Sequence, residues 1–208
     1  MLNIALPKGR LGESVLEKFA RAGYVFPELD KNDRRLVIPS VSGNASFFLV
    51  KPTDVPVYVE YGVADVGVAG RDVLMETGAD VYELLDLEIG KCRLAVAAKN
   101  DFFDDTDRPL RVATKFPNVS KAYFAGRNRD IEVITLNGSI ELAPVLGLTD
   151  VIVDIVETGK TLKENGLDVI QEVAPVSARL IANKPASKFK FDEVNALLTA
   201  LREDMKNA

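Results

Sequence analysis

Residues 151–162, Val-Ile-Val-Asp-Ile-Val-Glu-Thr-Gly-Lys-Thr-Leu, constrain the fold of this chain more than any other stretch. The β-branched run from Val151 to Val156 predicts a strand buried on both faces, the kind found in parallel sheets. Asp154 interrupts that run and Glu157 follows it, and acids beside a core are costly unless something pairs with them. Thr158-Gly159-Lys160-Thr161 then opens a helix. A strand that turns through small residues into a helix N-terminus offers free N–H groups and a positive dipole end, a natural seat for an anion. The stretch is not a nucleotide P-loop. G-x-x-x-x-G-K-[ST] requires glycine at position 154, where this chain has Asp154.

Strand and helix patterns alternate around this stretch. A strand over residues 2–6 leads through Pro7-Lys8-Gly9-Arg10 into an amphipathic helix that carries Val15, Leu16, Phe19 and Ala20 at helical spacing. Further strands are predicted over 35–39, 46–51, 64–69, 81–86 and 92–98, with short helices over 55–61, capped by Thr53 or Asp54, and 71–77. A polar loop over 100–109 follows. Strands over 111–114, 133–136 and 151–156 then alternate with helices over 119–127 and 139–146. Strands over 168–176 and 178–182 and a helix over 191–205 close the chain. This is the logic of an α/β protein, each lobe a mainly parallel sheet flanked by helices. Residues 1–90 with 177–208 form the first predicted lobe, and 91–176 form the second, which carries the 151–162 stretch. Ligand belongs in the cleft, outside the carboxyl ends of the strands.

Composition narrows the chemistry. The 208 residues contain no histidine, so a Ser-His-Asp triad, a histidine general base and a histidine-ligated zinc are all excluded. One cysteine, Cys92, permits no internal disulfide and fits a reducing cytoplasm. The net charge of −5 argues against a nucleic-acid binder. No signal peptide is evident, and no apolar segment approaches the roughly 20 residues of a membrane span. Carboxylates, Lys, Arg, hydroxyls, backbone amides or an oxygen-held metal must do whatever is done.

Several other motifs allow two readings on spacing alone. Lys8-Gly9-Arg10 suits a phosphate-bearing ligand, but a solvated charged turn is the better account of the pattern by itself. Capping explains Thr53 and Asp54 and leaves Lys51 unexplained. Glu141 falls in the first turn of a predicted helix, where the dipole favours an acid. Thr114-Lys115 at a strand end is ambiguous, and water is the default for Arg34 and Arg35.

Taken together, these motifs resemble ATP phosphoribosyltransferase. The resemblance lies in Leu6-Pro7-Lys8-Gly9-Arg10, Asp54-Val55-Pro56-Val57-Tyr58-Val59-Glu60, residues 64–70, 82–87 and 113–118, Gly138-Ser139-Ile140-Glu141-Leu142-Ala143-Pro144, and residues 154–162. It runs through nearly the whole chain in the family's order, and the length resembles the short form of the catalytic subunit. The resemblance implies a Mg²⁺-dependent transfer in which adenine N1 of ATP displaces pyrophosphate from phosphoribosyl pyrophosphate, the first step of histidine biosynthesis. It further implies that Thr158, Gly159, Lys160 and Thr161 hold the 5′-phosphate and that Asp154 and Glu157 face the ribose hydroxyls. Gly9 and Glu141 join the substrate site, and Lys8, Arg10, Arg34 and Lys51 form a cationic wall around pyrophosphate and the ATP phosphates. Lys51 departs from the arginine common in the family, and lysine lacks the planar fork of guanidinium. The implied partners are a second catalytic chain and a regulatory subunit resembling histidyl-tRNA synthetase, in a cytoplasmic hetero-oligomer.

Two rivals remain at this point. A two-lobed, periplasmic-binding-protein-like α/β fold also serves non-catalytic solute binders. A kinase-like phosphoryl transferase is weakened by the failed P-loop pattern.

Overall fold

The computed structural model describes residues 1–27 and 35–207, and the chain separates into two compact units, Met1–Gly90 with Ser177–Ala208, and Lys91–Val176. The first segment runs β1 (Leu2–Pro7), α1 (Arg10–Arg21), β2 (Ile38–Pro39) and β3 (Ala45–Val50). A 3₁₀ turn at Pro52–Asp54 leads to α2 (Val55–Glu60), β4 (Val66–Gly70), α3 (Arg71–Thr77) and β5 (Tyr82–Asp86). The second unit contains β6 (Cys92–Lys99), β7 (Leu110–Thr114), α4 (Pro117–Ala125), β8 (Ile131–Thr135) and α5 (Leu142–Val145). It continues with β9 (Val151–Val156), α6 (Lys160–Glu164) and β10 (Leu167–Val176). β11 (Ala178–Ala182), α7 (Lys184–Phe189) and α8 (Phe191–Asn207) return to the first unit.

The first unit is built on a six-stranded sheet, β2-β3-β1-β4-β11-β5. β1 is parallel to both β3 and β4, whereas β2, β11 and β5 add antiparallel pairings. Alternation along β1 sends Leu2, Ile4 and Leu6 to one face, where they meet Val15 and Phe19 of α1 and Val194, Leu197 and Leu201 of α8. Ala5 points to the other face, against Val55 and Val59 of α2 and Leu74 of α3. Thr53 and Asp54 do not cap α2: neither side chain accepts from its first turn, and the Thr53 hydroxyl instead donates to Asp54 at 3.3 Å.

α1 lies close on β1 because Gly12 has no side chain. A Cβ there would run into the Pro7 carbonyl oxygen, which is backbone and cannot swing aside. Gly12→Ala is therefore expected to destabilise the protein by about 2 kcal/mol through overpacking, read as a lower urea midpoint at unchanged slope.

In the second unit the sheet order is β10-β6-β9-β7-β8. The central β9 is parallel to β7 and antiparallel to β6, and β7 is parallel to β8. Val151, Ile152 and Val153 are at most 1% exposed, so this strand is covered on both faces. Val151 and Val153 join Val112, Leu94 and the α4 residues Val119 and Phe124 on one face. Ile152 joins Ala113, Ile140, Ala143 and Leu162 on the other. At the amino end of β9, Asp150 accepts from Arg108 Nη1 and Arg111 Nη2, both at 2.8 Å. The Arg108 hydrogen bond, against the cost of burial and with help from Arg111, holds this carboxyl well below the usual range.

Candidate functional site

In each unit the candidate residues gather at the carboxyl ends of parallel strands. In the first, Pro7 of β1 lies beside Val50 of β3, and the Lys8 amide continues the pairing by donating to the Val50 carbonyl at 2.8 Å. That bond brings Lys8-Gly9-Arg10, which opens α1, next to Lys51, which follows β3. All four residues are exposed, and Gly9 stands at the N-cap of α1 with φ +87°. Neither Lys8 nor Lys51 has an ion-pair partner among the described residues. Arg34, assigned to the same group on sequence, lies outside the described residues.

The second unit gathers Glu141, Asp154, Glu157, Thr158, Gly159, Lys160 and Thr161 around one cavity of about 270 Å³. Its walls are completed by Ile152, Ile155, Val156 and Leu162. The shape follows from the chain. β9 ends at Val156, and Gly159 adopts φ +75°, a left-handed turn that glycine takes without strain. α6 begins at once, with the Lys163 amide donating to the Gly159 carbonyl at 3.1 Å and the Lys160 amide to the Thr158 hydroxyl at 3.3 Å. The Thr161 carbonyl accepts from Asn165 Nδ2 at 2.8 Å, which steadies the turn from behind. Because α6 is only five residues long, little dipole can accumulate. What the loop offers a ligand is therefore its first amides and two hydroxyls.

Of the two half-buried acids in the group, Glu141 and Asp154, the second lies on β9. Its side chain accepts from the Ile155 amide at 2.9 Å. Burial raises its pKa above the ordinary value, and Glu141 adds to that, while the Ile155 amide and Lys115 oppose it. Glu157 is exposed at the rim, and Lys160, also exposed, pairs with Glu164 at 3.7 Å. Glu141 is not inside a helix as its spacing suggested. It stands at the N-cap position of the four-residue α5, preceded by Ser139 at φ +47°. The left-handed bend at Ser139 delays the helix and leaves Glu141 on the cavity wall. Positive φ at a non-glycine residue costs energy and clusters at functional sites.

A larger hollow of about 460 Å³ lies beside Arg21 and Asp204, but these two are already paired with each other across α1 and α8. Lys115 was undecided on sequence, and it emerges next to Asp154 because β7 and β9 run parallel. Only a prediction of that pairing could have found it.

Comparison with known proteins points to one family. The family model described as HisG: ATP phosphoribosyltransferase matches residues 51–203. An ATP phosphoribosyltransferase of Brachyspira hyodysenteriae is 54% identical over 204 residues, covering 98% of this chain and 99% of its own length. One from Caldicellulosiruptor bescii is 50% identical, covering 98% of this chain and 100% of its own. Among solved structures, the ATP phosphoribosyl transferase (HisG:HisZ) complex from Thermotoga maritima contains a chain 34% identical at a TM-score of 0.87, with each chain covered completely. The periplasmic aliphatic sulphonate binding protein SsuA from Escherichia coli, 14% identical at a TM-score of 0.58, shares the fold over 98% of this chain and 72% of its own. The chain thus belongs to the ATP phosphoribosyltransferase family, the enzymes of the first step of histidine biosynthesis.

Proposed function

We propose that the loop after β9 seats the 5′-phosphate of phosphoribosyl pyrophosphate while adenine N1 of ATP attacks C1. The bond from C1 to the pyrophosphate oxygen breaks as the new N–C bond forms. Pyrophosphate leaves with the electron pair, and phosphoribosyl-ATP results. The observation that carries this reading is the meeting of the Thr158 and Thr161 hydroxyls, the left-handed Gly159 and the first amides of α6 at one cavity, with Asp154 and Glu157 alongside. Hydroxyls and amides suit phosphate oxygens, and carboxylates suit the hydroxyls of a ribose. Glu141 completes the substrate wall.

Displacement at an anomeric carbon builds positive charge on the sugar and negative charge on the leaving group. Fixed charges and orientation must therefore supply the rate. Lys8, Arg10 and Lys51, with Arg34, are assigned to the pyrophosphate and the ATP phosphates. Lys51 would act there as a point charge rather than a planar fork. Among the described residues no three or more His, Cys, Asp or Glu are grouped as a metal site. Mg²⁺, carried by the substrate phosphates, would supply positive charge against the leaving pyrophosphate.

The Thermotoga maritima HisG:HisZ complex supports a hetero-oligomer for this chain too; the family resemblance adds that it would combine dimers of the catalytic chain with a regulatory subunit resembling histidyl-tRNA synthetase. The setting is the cytoplasm, and no described helix is long and apolar enough to cross a membrane. The test is pyrophosphate release from ATP and phosphoribosyl pyrophosphate with Mg²⁺, with and without that subunit. Release that needs both substrates is expected. No release even with the subunit present would overturn the reading.

A further inference from the structure

Lys115 is a cation that the proposed reaction does not yet use. It follows β7, whose residues Val112, Ala113 and Thr114 lie opposite Val151, Ile152 and Val153 of β9. One step further along these parallel strands brings Lys115 beside Asp154. Side chains alternate between the faces of a sheet. Ala113 and Ile152 pack on the face covered by Ile140 and Leu162, and Phe116 packs on the opposite face. Lys115 and Asp154 therefore share the face on which the cavity opens.

Thr114 fixes the position of this lysine. It is fully buried, and its hydroxyl donates to the Val153 carbonyl at 2.7 Å and accepts from the Phe116 amide at 2.8 Å. These two bonds pin the bend that carries Lys115 to the strand that carries Asp154.

We propose that Lys115 is a positioning residue, supplying from β7 the positive charge that lets Asp154 act as an anionic hydrogen-bond acceptor for the ribose hydroxyls. The proposal rests on the phosphate seat described above. Among the groups around Asp154, the segment before α5 contributes Glu141, which repels a second negative charge, and β6 contributes uncharged Ala95. The loop leading into α6 contributes Glu157 and Lys160, the latter paired with Glu164. Lys115 has no ion-pair partner among the described residues and is the cation whose charge acts on Asp154. Without it, burial and Glu141 would drive Asp154 towards its protonated form, and a protonated carboxyl loses much of its capacity to accept.

The experiment measures kcat/KM for phosphoribosyl pyrophosphate against pH, with the regulatory subunit present, for the native chain and for Lys115→Met, Lys115→Arg and Asp154→Asn. In Lys115→Met the acid limb should move to higher pH, with a rise in KM, while Lys115→Arg restores the native profile. Lys115 is exposed, so thermal unfolding should be unchanged. An unshifted acid limb in Lys115→Met beside a large loss in Asp154→Asn would overturn this proposal and leave the phosphate seat standing. An Asp154→Asn protein with native kinetics would also overturn this proposal, since an anionic acceptor would then be unnecessary, and would leave the phosphate seat on residues 158–161 standing.

Discussion

Replacing Glu157 and Thr161 together by alanine is expected to lower kcat/KM for phosphoribosyl pyrophosphate by roughly 10³-fold or more, on the scale seen when one preorganised donor is lost. Both residues are exposed on the cavity rim, outside both hydrophobic clusters of their unit. Exposed substitutions away from caps and buried networks usually change stability by less than about 0.5 kcal/mol. Activity and folding should therefore separate. Pyrophosphate release falls to background while the thermal midpoint stays within a degree or two of the native value. The Thr161 hydroxyl has no hydrogen-bond partner among the described residues, whereas the Thr161 carbonyl is engaged by Asn165 and survives the substitution. The turn should keep its shape and lose only its capacity to hold substrate. A protein that unfolds early, or one that retains full turnover, would each contradict the assignment of this loop.

Much of this site was legible because its residues violate local expectation. An acid inside a valine-isoleucine run, followed by Thr-Gly-Lys-Thr, has no economical explanation in packing alone, and β9 spans the residues that the run predicts. Other parts were hidden for identifiable reasons. Helical spacing over 139–146 suggested one helix, but Ser139 bends into the left-handed region, and only Leu142–Val145 is helical. Tertiary structure overrode the period there. The short α7 went unnoticed although its signals were present. Asn183 accepts from the Ala186 amide at 2.6 Å as an N-cap, and a proline follows in the first turn. The sheets are mixed because β2, β5, β6, β10 and β11 pair antiparallel, and an apolar run buried on both faces reads alike in either direction. Lys115 needed the β7–β9 register. The roles of the cations near β1 came from family resemblance rather than from any local pattern, since an exposed Lys-Gly-Arg turn is ordinary chemistry.

Asp204→Ala should produce the largest loss of stability among single substitutions on the surface-facing side of α1 and α8, about 3 kcal/mol. Asp204 on α8 takes Lys18 Nζ at 3.2 Å and Arg21 Nε at 2.7 Å, both from α1. The Lys18 and Asp204 side chains are 7% and 8% exposed, so truncation leaves an ammonium out of water with nothing to pair it. Arg21, half exposed, can turn to solvent once Asp204 is gone. The cost therefore sits on Lys18, and Lys18→Met combined with Asp204→Ala should recover part of it, because the pair then leaves no buried charge. The pH dependence separates this account from simple loss of packing. Arg21, by its hydrogen bond, and then Lys18 pull the Asp204 pKa below the ordinary carboxylate value despite burial. A group depressed in the folded state stabilises above its unfolded pKa, near 4, and that contribution fades as pH falls through the folded value. Asp150, depressed likewise, is present in both proteins and cancels from the comparison. Urea unfolding should show the full gap between native and Asp204→Ala proteins at pH 7 and a narrowing gap below about pH 4. A gap that does not change with pH would mean that the pair contributes by shape alone. The anchor also bears on function, because α1 begins at Arg10, directly after Lys8 and Gly9. A frayed α1–α8 contact should therefore raise the KM for the phosphate-bearing substrates before the protein unfolds.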